Sequence, residues 1–309
     1  MGCLPDSPDR ERPRPMGFTI GRAADLLPFP ASDTHKYARG KVVVVAGSPR
    51  YPGAAVLAAR AAQRMGAGYV EAVVSAPAVL PVRIAGPSLV VSDRGEWDPP
   101  VLESGPGRPL AVLVGCGFDA AGDAGECGRL LRLALDRAAC PVVVDGGALG
   151  LAACDEMRRA LRLRAGRGVA TVLTPHAGEA ALLAEAAGLP GDFLSDPPWR
   201  SCERLAQAYS ATVCLKGPDT FVSDGSETYA IDQGGPELAK AGTGDVLAGM
   251  AAALSAQRQG DVLCAVATAA LLHAEAGRLA ADRRTSIGVI PEDVIDELGS
   301  AIQRVASFR

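Results

Sequence analysis

From about residue 40 onward, short and continuously apolar runs alternate with longer Ala/Leu-rich stretches, and few architectures accept that pattern. The runs 41–46, 69–74, 111–114, 141–144, 170–173 and 212–216 are Val-rich and read as strands buried on both faces. The stretches 54–65, 125–138, 178–187, 199–209, 245–256, 261–281 and 292–306 are rich in helix formers. This alternation predicts an α/β fold with a mostly parallel central sheet covered by helices on both sides. Segments 220–223 and 228–231 predict a hairpin turning through Asp224-Gly225. The Pro/Gly-rich stretch 86–109 predicts a surface connection with little core. No linker interrupts the chain, so 18–309 is expected to be a single domain. The polar, Pro-rich segment 1–17 lacks the apolar centre of a signal peptide and predicts a disordered tail.

Composition narrows the function classes. Aromatics are 4% against 48% hydrophobic residues, so Ala, Val and Leu must fill the core. A net charge of −4 with no Lys/Arg block argues against a nucleic-acid partner and for a small molecule. Eight cysteines form no C-x-x-C pair and there are three histidines, which argues against a zinc cluster or a disulfide framework. Scattered single cysteines fit a reduced, cytoplasmic protein. The apolar runs 246–256 and 262–272 are too short to cross a bilayer, so no membrane role is predicted.

In an open parallel sheet, ligands bind beyond the carboxyl ends of the strands. The segment 238–245, Leu-Ala-Lys-Ala-Gly-Thr-Gly-Asp, lies just before an apolar helical stretch. Its two glycines let consecutive N–H groups point into one concavity, and a helix N-terminus adds unsatisfied donors and a positive dipole end. Gly242, Thr243 and Gly244 are therefore expected to cradle phosphate, with Asp245 as the catalytic base. A helix cap is the plainer role for Asp245, but Lys216-Gly217 at the end of the strand upstream adds a second anion-binding signal. The helix N-terminus is expected to keep Asp245 ionised. A weak but well-aimed base suffices for phosphoryl transfer, which relies on positioning and charge stabilisation. There is no Walker A motif. The stretch 115–120 fits G-x-G-x-x-A, with Asp145 ending the next strand like a ribose-binding acid. A nicotinamide dehydrogenase is disfavoured, because at least two strands precede that motif and no hydride-transfer constellation is visible.

Taken in order, several segments resemble one known family. They are Asp33-Thr34-His35-Lys36, Gly47-Ser48 with 51–54, Met65-Gly66-Ala67-Gly68, Gly115-Cys116-Gly117, and Asp145 with Ala148-Leu149. Thr174-Pro175-His176-Ala177-Gly178-Glu179, 215–220 and 242–249 complete the set. From about residue 18 to 307 the chain is similar to the ADP-dependent NAD(P)H-hydrate dehydratases. That resemblance implies a ribokinase-like three-layer α/β/α sandwich, with ADP (ATP in some relatives) and magnesium serving the dehydration of hydrated NADH or NADPH. It assigns Lys216, Gly217, Pro218, Asp219, Thr220 and Gly244 to the adenine nucleotide, and Ala54, Gly117, His176 and Asp245 to the hydrated cofactor. It makes His35 and Lys36 phosphate neighbours and gives Glu179 an indirect, water-mediated role toward magnesium. His273, inside an Ala/Leu helix, is expected to be merely packed. A symmetric homo-oligomer is implied, and residues 1–40 are too short for the N-terminal epimerase domain of many relatives, which implies the dehydratase alone. The chain departs from the family pattern at Cys116, Phe118, Gly146 and Tyr37, and Phe118 beside the expected nicotinamide site bears on pocket shape. The alternatives are a ribokinase-like kinase of a vitamin alcohol, which would stop at the phosphate ester, and a nucleotide sensor without turnover.

Overall fold

A computed structural model describes residues 15–119, 121–190 and 193–309. Up to residue 14, the expected disordered segment lies outside the described residues; Met16–Gly17 forms a short strand, β1. The remaining strands are β2 (Lys41–Val45), β3 (Tyr69–Val74), β4 (Val90–Asp93), β5 (Leu102–Glu103), β6 (Leu110–Val114), β7 (Ala138–Ala139), β8 (Val142–Val144), β9 (Thr171–Leu173), β10 (Thr212–Leu215), β11 (Thr220–Ser223) and β12 (Thr228–Ile231). The helices are α1 (Ile20–Leu26), α2 (Pro52–Arg64), α3 (Ala76–Ala85), α4 (Ala124–Arg137), α5 (Gly147–Ala152), α6 (Asp155–Gly166), α7 (Ala177–Ala186), α8 (Pro198–Tyr209), α9 (Thr243–Gln257), α10 (Val262–Gly288) and α11 (Pro291–Ala306).

Ten strands form one sheet in the order β1-β12-β11-β10-β9-β8-β6-β2-β3-β4, and β5 pairs with β7 apart from it. From β4 to β10 every pairing is parallel. The predicted hairpin is present as β11–β12, and Asp224 Oδ1 accepts from Ser226 and Glu227 N–H at 2.8 and 2.9 Å in its turn. Strand alternation divides the core. Val42, Val44, Leu113 and Val143 join one buried cluster with α2, α9 and α10. Val43, Val45, Val112, Val114 and Val144 join another with α4, α5 and α8. Each fully buried Val or Leu contributes about 1.5–3 kcal/mol relative to exposure, so both sheet faces demand a helical layer, and the three-layer sandwich follows.

Two expectations need correction. The stretch 86–109 is not a coreless connection. It supplies the sheet-edge strand β4 and buries Arg94 and Trp97 to 3% and 8% exposure. The apolar run at 262–272 is part of α10, a 27-residue helical span kinked at Thr285 (φ 67°) and long and apolar enough by composition to cross a membrane. Its most apolar window is 83% buried inside the fold, as expected of a core helix.

α9, which carries Asp245, is held against α2 at very short range. A Cβ on Gly249 would stand 2.1 Å from Ala58 O, so only glycine allows this approach.

Candidate active site

The site gathers at the carboxyl ends of adjacent strands. Cys116 follows β6, Asp145 follows β8, Thr174 follows β9 and Lys216 follows β10. Asp145 is buried and fixed by three side chains. Its Oδ1 accepts from Thr174 Oγ1 at 2.5 Å and from Lys216 Nζ at 2.9 Å, while Oδ2 accepts from Cys116 Sγ at 3.5 Å. It is not free to take up a ribose, as the dehydrogenase alternative required, and β6, the strand before Gly115, lies mid-sheet. The sequence marked Asp145 only as part of a pattern; its pairing with Lys216 spans 71 positions and has no local signature.

Asp245 stands in the first turn of α9. Cys116, Asp145 and Asp245 each bring a ligand-capable atom within 4.8 Å of the others. Burial, and after it the charge of Asp145, pushes the Asp245 carboxyl up to about 7, against the Cys116 thiol and Lys216. The expected ionising pull of the helix N-terminus is thus outweighed, because lost hydration and a second carboxylate both favour the neutral form. Burial, then the two carboxylates, holds the Cys116 thiol well above its ordinary range, so it stays an S–H donor. Burial opposes the charge of Lys216, but Asp145 and then Glu179 more than restore it.

The turn expected to cradle phosphate leads into α9. Gly242 caps α9 in the left-handed region at φ 97°, which a side chain would strain. The amides of Gly242, Gly244 and Asp245 have no acceptor among the described residues. Thr243 is engaged internally: its N–H donates to Lys240 O at 3.3 Å and its hydroxyl to Leu238 O and Lys240 O at 2.7 and 2.8 Å. Lys216 Nζ reaches over this turn, 3.3 Å from where a Cβ on Gly244 would stand.

A cavity of about 800 Å³ opens from the cradle. His176, Lys216, Gly217, Pro218, Thr220 and the turn 242–244 all line it, whereas Asp219 is exposed and not part of its wall. His176 also caps α7: its Nδ1 accepts from Gly178 and Glu179 N–H at 3.0 and 3.3 Å. Glu179 answers by accepting from His176 N–H at 2.9 Å, and lies 4.0 Å from Lys216 Nζ. His273 was expected to be packed and is 7% exposed, but it also faces this cavity, with Nε2 lacking a partner among the described residues. Burial pushes its imidazole down to about 4, so it is neutral at physiological pH.

Ala54 and Gly117 do not line that cavity but meet one another. Gly117 has φ 66°, and a Cβ there would lie 2.7 Å from both Ala54 Cβ and Tyr51 O. His35 and Lys36 are not brought to the site. Tyr37 stacks on Tyr69 at 5.9 Å and Lys36 lies 5.7 Å from the Tyr69 ring, at the amino end of β3 and so at the opposite end of the sheet.

The carboxylate–thiol trio is not a magnesium cage: a thiol is a poor partner for so hard an ion, and Asp145 is already held by Lys216 and Thr174. The residues present would fit magnesium only as an ion carried by nucleotide oxygens.

Residues 42–300 match the family model described as NAD(P)H-hydrate dehydratase. The chain is 33% identical over 283 residues to an ADP-dependent (S)-NAD(P)H-hydrate dehydratase of Xanthomonas campestris, covering 90% of this chain and 93% of that protein. It spans 46% of the length of a bifunctional NAD(P)H-hydrate repair enzyme from Mycobacterium tuberculosis that it also matches. Among solved structures, the ADP/ATP-dependent NAD(P)H-hydrate dehydratase of Bacillus subtilis superposes with a TM-score of 0.78 at 24% identity, covering 94% of this chain and 98% of that one. A ribokinase-like superfamily protein of Enterococcus faecalis superposes at 0.72 and 21%, covering 94% and 96%. These two likenesses establish the ribokinase-like fold. The extent of the family match and the identity to the Xanthomonas enzyme go further: the chain belongs to the NAD(P)H-hydrate dehydratase family.

Proposed function

We propose that this protein is an ADP-dependent hydro-lyase that returns hydrated NADH or NADPH to the reduced cofactor, releasing phosphate and AMP. The observation that carries the reading is Asp245, in the first turn of α9, within 4.8 Å of Asp145 and Cys116 and directly after the turn 242–244 that lines the cavity, although Asp245 is not itself in the cavity wall. The reading gives the two substrates two surfaces. One is the cavity at Lys216–Gly217 and Gly242–Gly244, which suits the nucleotide diphosphate; the other is the Ala54–Gly117 wall, which suits the hydrated ring.

Hydroxide is a poor leaving group, whereas phosphate is a good one. Asp245 takes the proton of the ring hydroxyl as its oxygen attacks the terminal phosphorus of ADP. The phosphoanhydride bond breaks, AMP departs, and the amides of Gly242 and Gly244 with Lys216 hold the charge that develops. The ring ester then loses phosphate and a ring proton, which restores the double bond. Magnesium carried in with the nucleotide would supply charge neutralisation. Gly217, Pro218, Thr220 and Thr243 shape the nucleotide side, with Asp219 exposed beside them, and His176 stands in the same cavity wall. The seven described cysteines are all free, in keeping with a cytoplasmic repair enzyme working where reduced nicotinamide cofactors are used.

The test is incubation with hydrated NADH and ADP, following the absorbance of restored dihydronicotinamide together with AMP and phosphate. Recovery of NADH with one AMP per turnover supports the proposal. Phosphorylation of a vitamin alcohol without recovery of NADH would show a kinase, and ADP binding without phosphate release a sensor.

A further inference from the structure

The substrate wall is held together by a residue of the sheet edge. Arg94 follows β4 and its side chain is 4% exposed. Nη1 donates to Gly47 O at 2.8 Å, in the loop after β2. Nη2 pairs with Glu126 at 2.7 Å and lies 3.7 Å from Asp123, at the start of α4. The guanidinium lies 5.7 Å from the Phe118 ring, in the loop after β6. Its own backbone is pinned, since Arg129 donates to Arg94 O at 3.1 Å and to Trp97 O at 3.4 Å.

One planar cation therefore ties together the loop that leads into α2, whose first turn carries Ala54, and the loop that carries Gly117. Taking a guanidinium out of water costs several kcal/mol, and apolar side chains of similar volume often do as well or better where packing is the only task. Here Nε is also buried without a partner among the described residues. What such a cation adds is directional: it sets the Gly47 carbonyl, the start of α4 and the Phe118 ring in fixed relation to one another. Gly117 and Ala54 leave no slack, because Gly117 approaches Tyr51 O and Ala54 Cβ too closely to bear a Cβ.

We propose that Arg94 is a positioning residue for the substrate face, holding the loops after β2 and β6 as one wall against the nicotinamide end of the hydrated cofactor. This rests on the proposed dehydratase function and its placement of the ring at Ala54 and Gly117. Arg94 touches no nucleotide-side residue named above, so its loss acts on one substrate only.

The test compares wild type, Arg94→Lys and Glu126→Gln in the full chain, by steady-state kinetics with each substrate varied and by thermal melting. A lysine cannot span Gly47 O and Glu126 together. Arg94→Lys is expected to raise KM for the hydrated cofactor roughly tenfold while KM for ADP stays within about twofold, as a displaced substrate wall requires. Glu126→Gln leaves the cation in place but loosens it, and is expected to raise the same KM roughly threefold. If Arg94→Lys fails to fold, the Glu126→Gln result decides alone. Equal rises in both KM values, or no rise in a folded variant, would overturn the positioning role and leave the dehydratase reading standing. Absence of dehydration by wild type would sink both.

Discussion

Lys216 Nζ lies 2.9 Å from Asp145 Oδ1, and that pair separates the two acids of the site. Asp145 is committed to the ammonium and to Thr174. Asp245 is half-buried close to that carboxylate and so keeps its proton until about neutral pH. Two carboxyl groups with different surroundings thereby take different tasks.

The pH dependence follows. A base works deprotonated, so kcat/KM is expected to rise with pH through a limb near 7. Asp145→Asn removes a neighbouring negative charge and frees Lys216, and both changes favour ionised Asp245. The limb should therefore move to lower pH. A limb that stays put or moves upward contradicts the account.

Stability should respond with the opposite preference. The folded-state value of Asp245 is raised from 3.8 to about 7, so the folded protein retains a proton the unfolded chain releases in that window. Its contribution is favourable below about 4 and is lost as pH rises through 7. Asp245→Asn should raise Tm at pH 8 more than at pH 5, read by melting curves at both values. Equal shifts would show that no such penalty exists.

Lys216→Ala removes the cation laid over the cradle. KM for ADP is expected to rise roughly tenfold or more, as for loss of a charge-assisted phosphate contact, and isothermal titration with ADP would show the same weakening. An unaltered affinity would place the diphosphate elsewhere.

Gly117→Ala puts a Cβ 2.7 Å from Ala54 Cβ in a left-handed conformation. About 1–3 kcal/mol of destabilisation is expected from the strained backbone. KM for the hydrated cofactor should rise while KM for ADP holds. A variant with wild-type KM for both would remove Gly117 from the substrate wall.

Much of this architecture was legible in the chain because it rests on local periodicity. The six Val-rich runs, the β11–β12 hairpin and the Gly-x-Gly-Asp helix start all lie where their patterns put them. What escaped was set by distance in sequence. Asp145 meets Lys216 across 71 positions, and Arg94 meets Gly47 across 47, with no spacing to betray either. α3 was obscured by the proline inside it, Pro81. α6 was obscured by arginines, although Met157, Ala160, Leu161 and Arg164 keep a helical period. The protonation of Asp245 went the other way from expectation, since a helix N-terminus can be seen in sequence but burial beside a second carboxylate cannot.

The central claim is that Asp245 removes the ring-hydroxyl proton, and the direct measurement is single-turnover NADH recovery by Asp245→Asn with ADP saturating. Recovery should slow by roughly 10²–10⁴-fold, the range for loss of a general base, while the ADP dissociation constant stays within a few-fold. Recovery at the wild-type rate would contradict the account.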